Sequence, residues 1–382
     1  MPEPDAIGEA LERLECSDKR SENISKAAQI TRRTALTGGA AGLAAALLEA
    51  CGSSSNSGTT TASGATTTAT TTTSPASSIF GVGGGYRFTF VNHATRDTFF
   101  SPTINGIQDA CKLLNCSYEW GGSNSSNVGQ MATAIRTAVS VGVDGIATSL
   151  ISPLLASPVA AAMSAGIPVI AYSADEPNTD RLAYIGQNLA LSGKAMGKKI
   201  KQLIPGGGEI AVFIGVPGSA NLQPRLDGIR DELKGSNLHI VAPPSGAGEK
   251  QELTTTDAFI GQHLTAYQGY FAVDAGSTAG VALAIQKYSL TGEVVGGGFD
   301  LTSETEDLLA NGTIQFAIDQ QPYLQGFLAT LELFLYKASD ALTGPADVDT
   351  GLKFLYPHTI KPYATTRSRY EGTGGSPGVQ KG

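Results

Sequence analysis

The sequence predicts an α/β fold made of two doubly wound lobes, each built on a parallel sheet. Two observations carry this. Along residues 79–372, short apolar runs recur, each followed by a stretch with apolar residues at helical spacing. Strands of about 4–8 residues alternating with helices of about 10–15 residues imply βαβ units and parallel sheets. The alternation also falls into two series, divided near Gln187. Setting aside residues 1–78 leaves 304 residues, enough for a core in each lobe.

In the first series, residues 86–91 read as a strand and residues 103–114 as a helix. Residues 117–120 form a short strand, and residues 128–141 carry the helical period. A strand at 145–149, a helix at 156–165 and a strand at 167–172 complete it. The second series places strands at 209–214, 238–241, 270–273, 293–295 and 313–318, with helices between them.

In open parallel sheets, ligands sit beyond the carboxyl ends of the strands, so the residues that follow each strand carry the functional reading. After the first strand come Asp97, Phe99 and Phe100, and after the fourth come Ser173 and Asp175. The strand at 209–214 leads to Asn221 and Arg225, and later strands lead to Asp274, Asp300, Asp319 and Gln320. Each has an ordinary reading as well. An Asp ahead of a helix is commonly an N-cap, and aromatic residues are commonly core. The recurrence at most strand ends is what favours a polar pocket with an aromatic wall. Trp120, at the end of the second strand, reads as core packing in preference to a pocket wall.

The first 78 residues carry a different signal. Arg32-Arg33 precede a weakly apolar segment, residues 35–50, rich in Ala and Gly. A twin-arginine pair before such a run is an export address. Its 16 residues fall short of the ~20 that a membrane-spanning helix needs. The ending Leu48-Glu49-Ala50-Cys51 resembles a bacterial lipobox, which makes residues 1–50 the signal peptide and Cys51 the lipidated residue. Ordinary cleavage near Ala50 is the other reading, and Glu49 is unusual in a lipobox. Residues 51–78 are almost entirely Ser, Thr, Gly and Ala, a composition that cannot offset ordering entropy and is expected to form a flexible tether. The Gly-rich end, residues 373–382, is expected to fray.

Charge and cysteines narrow the class. Net charge is −8 and there are no basic runs, which argues against nucleic acid as a partner. Cys111 and Cys116 remain once the leader cysteines are removed, and an isolated pair in an oxidising exterior is expected to bridge. A bridge between residues five apart needs the helix to end near Asn115, because a disulfide wants Cα atoms within ~7 Å. The four histidines, His93, His239, His263 and His358, lack metal-ligand spacing, and no His-Glu-x-x-His occurs. The glycine run at 81–85 precedes its strand, where a dinucleotide loop would follow one. No enzyme activity, cofactor or metal is expected.

The chain resembles the periplasmic sugar-binding proteins of ABC importers, in the branch that includes ribose-binding protein. Phe99-Phe100 followed by Asn105-Gly106 resembles the family's first strand-loop-helix. Residues 166–170 resemble the strand leading to the first hinge. Arg225-Leu226-Asp227-Gly228-Ile229 resembles the helix with the ligand-binding arginine, and residues 295–300 the strand delivering an aspartate, Asp300. Residues 319–326 resemble the second hinge, with Gln320 matching a ligand-contacting glutamine. The resemblance implies a type I periplasmic-binding-protein fold with a multi-strand hinge. It implies an N-terminal lobe of residues 79–186 plus 321–345, and a C-terminal lobe of residues 187–320 plus 346–372 with a tail crossing the hinge.

The implied function is capture of a monosaccharide or sugar alcohol between closing lobes, by a monomer tethered outside the cytoplasmic membrane that feeds ABC importer permease subunits. A receptor feeding chemotaxis or a sensor kinase is the alternative. The implied ligand set is Asp97, Phe99, Phe100, Ser173, Asp175, Asn221, Arg225, Asp274, Asp300 and Gln320. The site departs from ribose-binding protein in two ways. Ser173 and Ala174 stand where an Asp–Arg pair contacts the sugar, and Asp97 and Asp274 replace asparagines. Ribose is therefore disfavoured. Pentoses, hexoses, sugar alcohols and a cationic amino sugar stay open.

Overall fold

The structure, a computed structural model, describes residues 84–366, 369 and 370. The expected leader, the tether with Cys51 and the tail at 373–382 lie outside these residues. The first lobe begins with β1 (Arg87–Asn92), a 3₁₀ turn (Thr98–Phe100) and α1 (Ser101–Leu114). It continues through β2 (Ser117–Gly122), α2 (Val128–Ser140), β3 (Gly145–Thr148) and α3 (Ala156–Ser164) to β4 (Val169–Tyr172) and β5 (Ala183–Gly186). The second lobe contains α4 (Leu189–Leu203), β6 (Gly208–Phe213), α5 (Gln223–Leu233), β7 (Leu238–Val241) and α6 (Glu249–His263). It continues with β8 (Gly269–Ala272), α7 (Ala275–Lys287), β9 (Val295–Phe299), α8 (Ser303–Ala310) and β10 (Phe316–Asp319). The chain ends with α9 (Pro322–Ala338), β11 (Val348–Asp349), β12 (Lys353–Leu355) and α10 (Lys361–Thr366).

The two sheets repeat one order. One runs β11-β5-β4-β3-β1-β2 and the other β12-β10-β9-β8-β6-β7. Every pairing is parallel except β12 on β10. This is the two-lobed α/β architecture the sequence predicts. Helices cover both faces of each sheet, so the central strands β3, β4 and β8 are buried at every position, as parallel strands are, while the edge strands β2 and β7 keep polar, partly exposed residues. In β6 and the residue after it, Ile210, Val212 and Ile214 enter the core beneath α4 and α5. Ala211 and Phe213 enter the opposite core, with α6 and α7. In β1, Phe88 and Phe90 face α1 and α9, while Val91 joins the core of α2 and α3.

Three segments pass between the lobes at one edge. β5 leads into α4, β10 leads into α9, and β11 leads into β12. α9 packs against α1 and α4 against α5, which assigns each helix to its lobe. The third of these crossings joins an edge strand of the first sheet to an edge strand of the second. After α10, which packs on α8 of the second lobe, the chain returns once more to the first lobe, where Arg369 pairs with Asp109 of α1 at 2.9 Å and Tyr370 packs edge-on to Tyr323 of α9.

Several elements differ from the sequence expectation. β5, β11 and β12 were not expected as strands; they are two to four residues long, too short to show a period. The strand read at 293–295 from its apolar residues lies at Val295–Phe299, where the family resemblance placed it, and runs through three consecutive glycines. Those positions have no room for a side chain: a Cβ on Gly297 would meet the Phe316 ring at 2.6 Å, and one on Gly296 would meet Ile285 at 2.6 Å. The expected disulfide is not formed; Cys111 and Cys116 are free thiols with Sγ atoms 2.9 Å apart. The geometry it requires is nonetheless present. α1 ends at Leu114, Asn115 caps it in the left-handed conformation (φ 53°), and the Cys116 amide donates to the Cys111 carbonyl at 3.0 Å.

Candidate functional site

Both halves of the site arise at the switch points of the sheets, where the strands on either side of β1 and of β6 lead to loops that diverge. The lobes meet there. The Ala220 amide donates to the Ile151 carbonyl at 3.0 Å, Thr98 Oγ1 donates to Glu249 at 3.1 Å, and Asn221 Nδ2 lies 3.4 Å from His93 Nε2. Each contact joins one lobe to the other, so the cleft is shut. It encloses a cavity in which the centre of a water molecule can roam about 60 Å³.

Nine of the ten residues expected to bind ligand line this cavity: Asp97, Phe99, Phe100, Ser173, Asn221, Arg225, Asp274, Asp300 and Gln320. Asp175 does not. It turns away and pairs with Arg181, Nη2 to Oδ2 at 2.6 Å, and Arg181 also reaches Asp347 at 3.1 Å. The physical reason is the backbone. Ser173 sits at φ 62°, which bends the chain sharply after β4 and carries Asp175 to the hinge side.

Caps and pocket residues coincide here. Asp97 caps the 3₁₀ turn by accepting from the Phe99 amide at 2.9 Å. Asp274 caps α7 by accepting from Ser277 N at 2.9 Å, and its other oxygen accepts from Gly215 N at 2.9 Å. Capping fixes these carboxylates while leaving them at the cavity wall. Asp300 ends β9 at φ 71°, a conformation unusual outside glycine and common at functional sites. Its Oδ1 accepts from Gln320 Nε2 at 2.7 Å, and Gln320 is in turn held by Gln325 Nε2 at 3.1 Å.

Arg225 is the cavity's guanidinium. It is 3% exposed, lies 3.7 Å from Asp300 Oδ2, donates to the Val273 carbonyl at 2.9 Å and stacks over Phe299 at 4.2 Å. Among the described residues, its Nε has no hydrogen-bond partner. Two glycines place its helix. A Cβ on Gly193 of α4 would overlap the Arg225 carbonyl oxygen, and one on Gly228 of α5 would overlap that of Ala190. The helices therefore touch backbone to backbone, which sets how far Arg225 reaches.

Burial dominates the electrostatics. It pushes Asp97 up to about 6, with Asp274 adding repulsion and the Phe99 amide opposing. Asp300 is raised to about 7 by burial, against the pull of Arg225 and Gln320. Asp274 is raised too, and Arg225 is lowered, each chiefly by burial. His93, which also lines the cavity, is lowered to about 4 by burial and is neutral at pH 7. The aromatic wall is Phe99 edge-on to Phe100 at 4.8 Å, with Trp120 packed behind Phe100 at 6.0 Å and outside the lining. Sequence reasoning missed His93, Ser219 and Glu252 as lining residues. His93 follows β1 directly, so strand-end position was a usable signal; Glu252 gave none.

The family model for a periplasmic binding protein domain matches residues 88–336. The chain belongs to this family. The xylose/arabinose-binding protein XylF of Sulfolobus acidocaldarius is 43% identical to this periplasmic binding protein over 305 residues, 75% of each chain. An ABC transporter solute-binding protein from Burkholderia graminis, solved with D-arabinose, is 25% identical with a TM-score of 0.67, covering 73% of this chain and 97% of its own. A carbohydrate transporter protein from Acidothermus cellulolyticus, solved with myo-inositol, is 25% identical with a TM-score of 0.65, covering 74% and 97%. The family model and these relatives make the chain a binding protein.

Proposed function

We propose that this periplasmic binding protein captures a pentose between its lobes and delivers it to an ABC importer, tethered outside the cell membrane through Cys51. The observation that carries the reading is the cavity. It lies between the two lobes, with an aromatic wall for the C–H face of a sugar ring, and carboxylates, amides and a guanidinium for its hydroxyls. The XylF relative points to xylose or arabinose within that class. Asp97, Phe99, Phe100, Ser173, Asn221, Arg225, Asp274, Asp300 and Gln320 form the proposed ligand set. Asp175 is left out, because Arg181 holds it elsewhere.

Ligand favours the closed form by its differential affinity for closed over open, and the importer's membrane subunits would read that closed shape. A thermal-shift screen of xylose, arabinose, ribose, glucose, glucosamine, myo-inositol and xylitol tests the reading. A ligand at 100 times its dissociation constant adds about 2.7 kcal/mol of stability, a clear rise in midpoint. Xylose or arabinose is expected to give that rise; no shift with any sugar would overturn the assignment. Cys51→Ser, expressed in the native host, is expected to shed the protein into the medium, and full retention on cells would refute the tether.

A further inference from the structure

The sugar reading leaves a buried carboxyl at the cavity, Glu252, without a role. Glu252 lies one turn into α6, where a Glu-Lys-Gln-Glu run looks like an ordinary solvated helix start. Instead its side chain is 7% exposed and lines the cavity. Two glycines make the niche that holds it. A Cβ on Gly276, in the first turn of α7, would collide with Glu252 Oε2, and one on Gly215 would stand 3.0 Å from Oε1. Gly215 N is already given to Asp274 Oδ2, so the two carboxyls sit side by side at the start of α7.

Their hydrogen bonding differs. Asp274 accepts from two backbone amides at 2.9 Å each, which favours its ionised form. Glu252 receives one long contact, from Gly248 N at 3.4 Å. Two adjacent buried carboxyls with unequal donors share their proton unequally, and the poorly solvated one keeps it.

We propose that Glu252 is a specificity-determining ligand contact that stays protonated in the closed site and donates a hydrogen bond to the ligand, so that the site takes an uncharged sugar and binding is coupled to proton uptake. This rests on the sugar-binding reading of the same cavity.

The charges around Glu252 agree. Asp274 faces it from α7, Asp97 from the other lobe and Glu249 from its own helix, and all three push its carboxyl well above the usual range, after burial. Glu249 is itself raised to about 8 by burial, then by Asp97 and by Glu304 of α8. The cavity's cation, Arg225, is engaged with Asp300 and the Val273 carbonyl, and His93 is neutral. Asp97 comes from the first lobe, Glu249 and Glu252 from the second, so closure is what brings the three together. The closed form then holds more protons than the open form. Affinity is highest on the acid side and falls as pH rises through the values of about 6 for Asp97 and about 8 for Glu249.

The choice of ligand class follows. With every carboxylate ionised the cavity would select a cation such as an amino sugar; with Glu252 protonated, a neutral polyol meets both a donor and acceptors. Calorimetric titration with xylose from pH 5 to 9, repeated in buffers of different ionisation enthalpy, reads the proton directly. Wild type is expected to take up at least one proton, and to lose affinity by at least about tenfold per pH unit up to about pH 8. Glu252→Gln, which carries a permanent N–H donor, should bind xylose with a visibly flatter pH profile, whereas Glu252→Ala should bind weakly at every pH. Xylose binding with no proton uptake, or a Gln variant with the wild-type slope, overturns this inference and leaves the sugar reading standing. Binding of glucosamine alone, tightening as pH rises towards 7, overturns it as well. Silence from both sugars at every pH, with the fold intact by circular dichroism, overturns both readings.

Discussion

Replacing Arg225 by Met separates the binding role of the guanidinium from its structural one. Met keeps an apolar stem over Phe299 while removing the charge 4.2 Å above that ring and the donor 2.9 Å from the Val273 carbonyl. On the stability side, the hydrogen bond is worth about 1 kcal/mol and the cation–π contact about 1–2 kcal/mol. Breaking a buried ion pair can cost about 3–5 kcal/mol when the partner stays charged. Asp300 need not stay charged. It stands at about 7 with Arg225 beside it, so without Arg225 its carboxyl takes a proton at neutral pH. The expected loss is therefore about 2–3 kcal/mol, within the ~5–15 kcal/mol of a typical fold. On the binding side, a charged hydrogen bond to ligand is worth about 1.5–3 kcal/mol, which is about 10–150-fold in Kd. Circular dichroism and thermal melting check the fold, and calorimetry with xylose or arabinose reads the affinity. A folded variant that binds within threefold of wild type would show that Arg225 does not contact the sugar.

Asp175→Asn is expected to leave sugar affinity within twofold while lowering the melting midpoint, because it weakens the Arg181 bridge and not the cavity; a tenfold loss of affinity would return Asp175 to the ligand set. The protein held closed by saturating sugar should lose stability as pH rises from about 4 to 8. Asp97, Asp300 and Glu249 stand at about 6, 7 and 8, above their ordinary 3.8, 3.8 and 4.5, so the native state holds more protons than the unfolded chain across that window. A flat or rising melting curve over the same range would contradict their burial. For Cys111 and Cys116, mild oxidation should form an intrachain bridge with no change in sugar affinity, and two reactive thiols in exported, non-reduced protein would exclude that bridge in the mature form.

The lobes, the strand order of events along the chain and most of the cavity wall were legible in the sequence because parallel strands buried on both faces leave strong apolar runs. What was hidden has specific causes. β9 runs through three glycines, which carry no strand propensity, so the apolar pattern stopped at Val295 and only the family resemblance placed a strand at 295–300; the glycines stay because Phe316 and Ile285 need the space. β11 and β12 are held by pairing with β5 and β10, information that lies far away in the chain. Asp175 was assigned to the pocket by adjacency to Ser173, and the left-handed turn at Ser173 is what redirects it. Glu252 was invisible because its burial depends on Gly215 and Gly276, which come from two other strand-helix connections.

The three crossings at one edge have a mechanical consequence. A single tether would let the lobes twist, slide and tilt; two would still allow a twist about each strand. A third, which pairs with both sheet edges through β11 and β12, pins the remaining freedoms and leaves rotation about one line as the soft coordinate. Gln187 and Gln320 sit at the crossings, where such a rotation moves atoms least, while Thr98 and Glu249 lie among the contacts that shut the far side. The molecule behaves as a lever with one degree of freedom. Any partner that touches both lobes can then learn whether the cavity is filled by measuring a single distance on the outside.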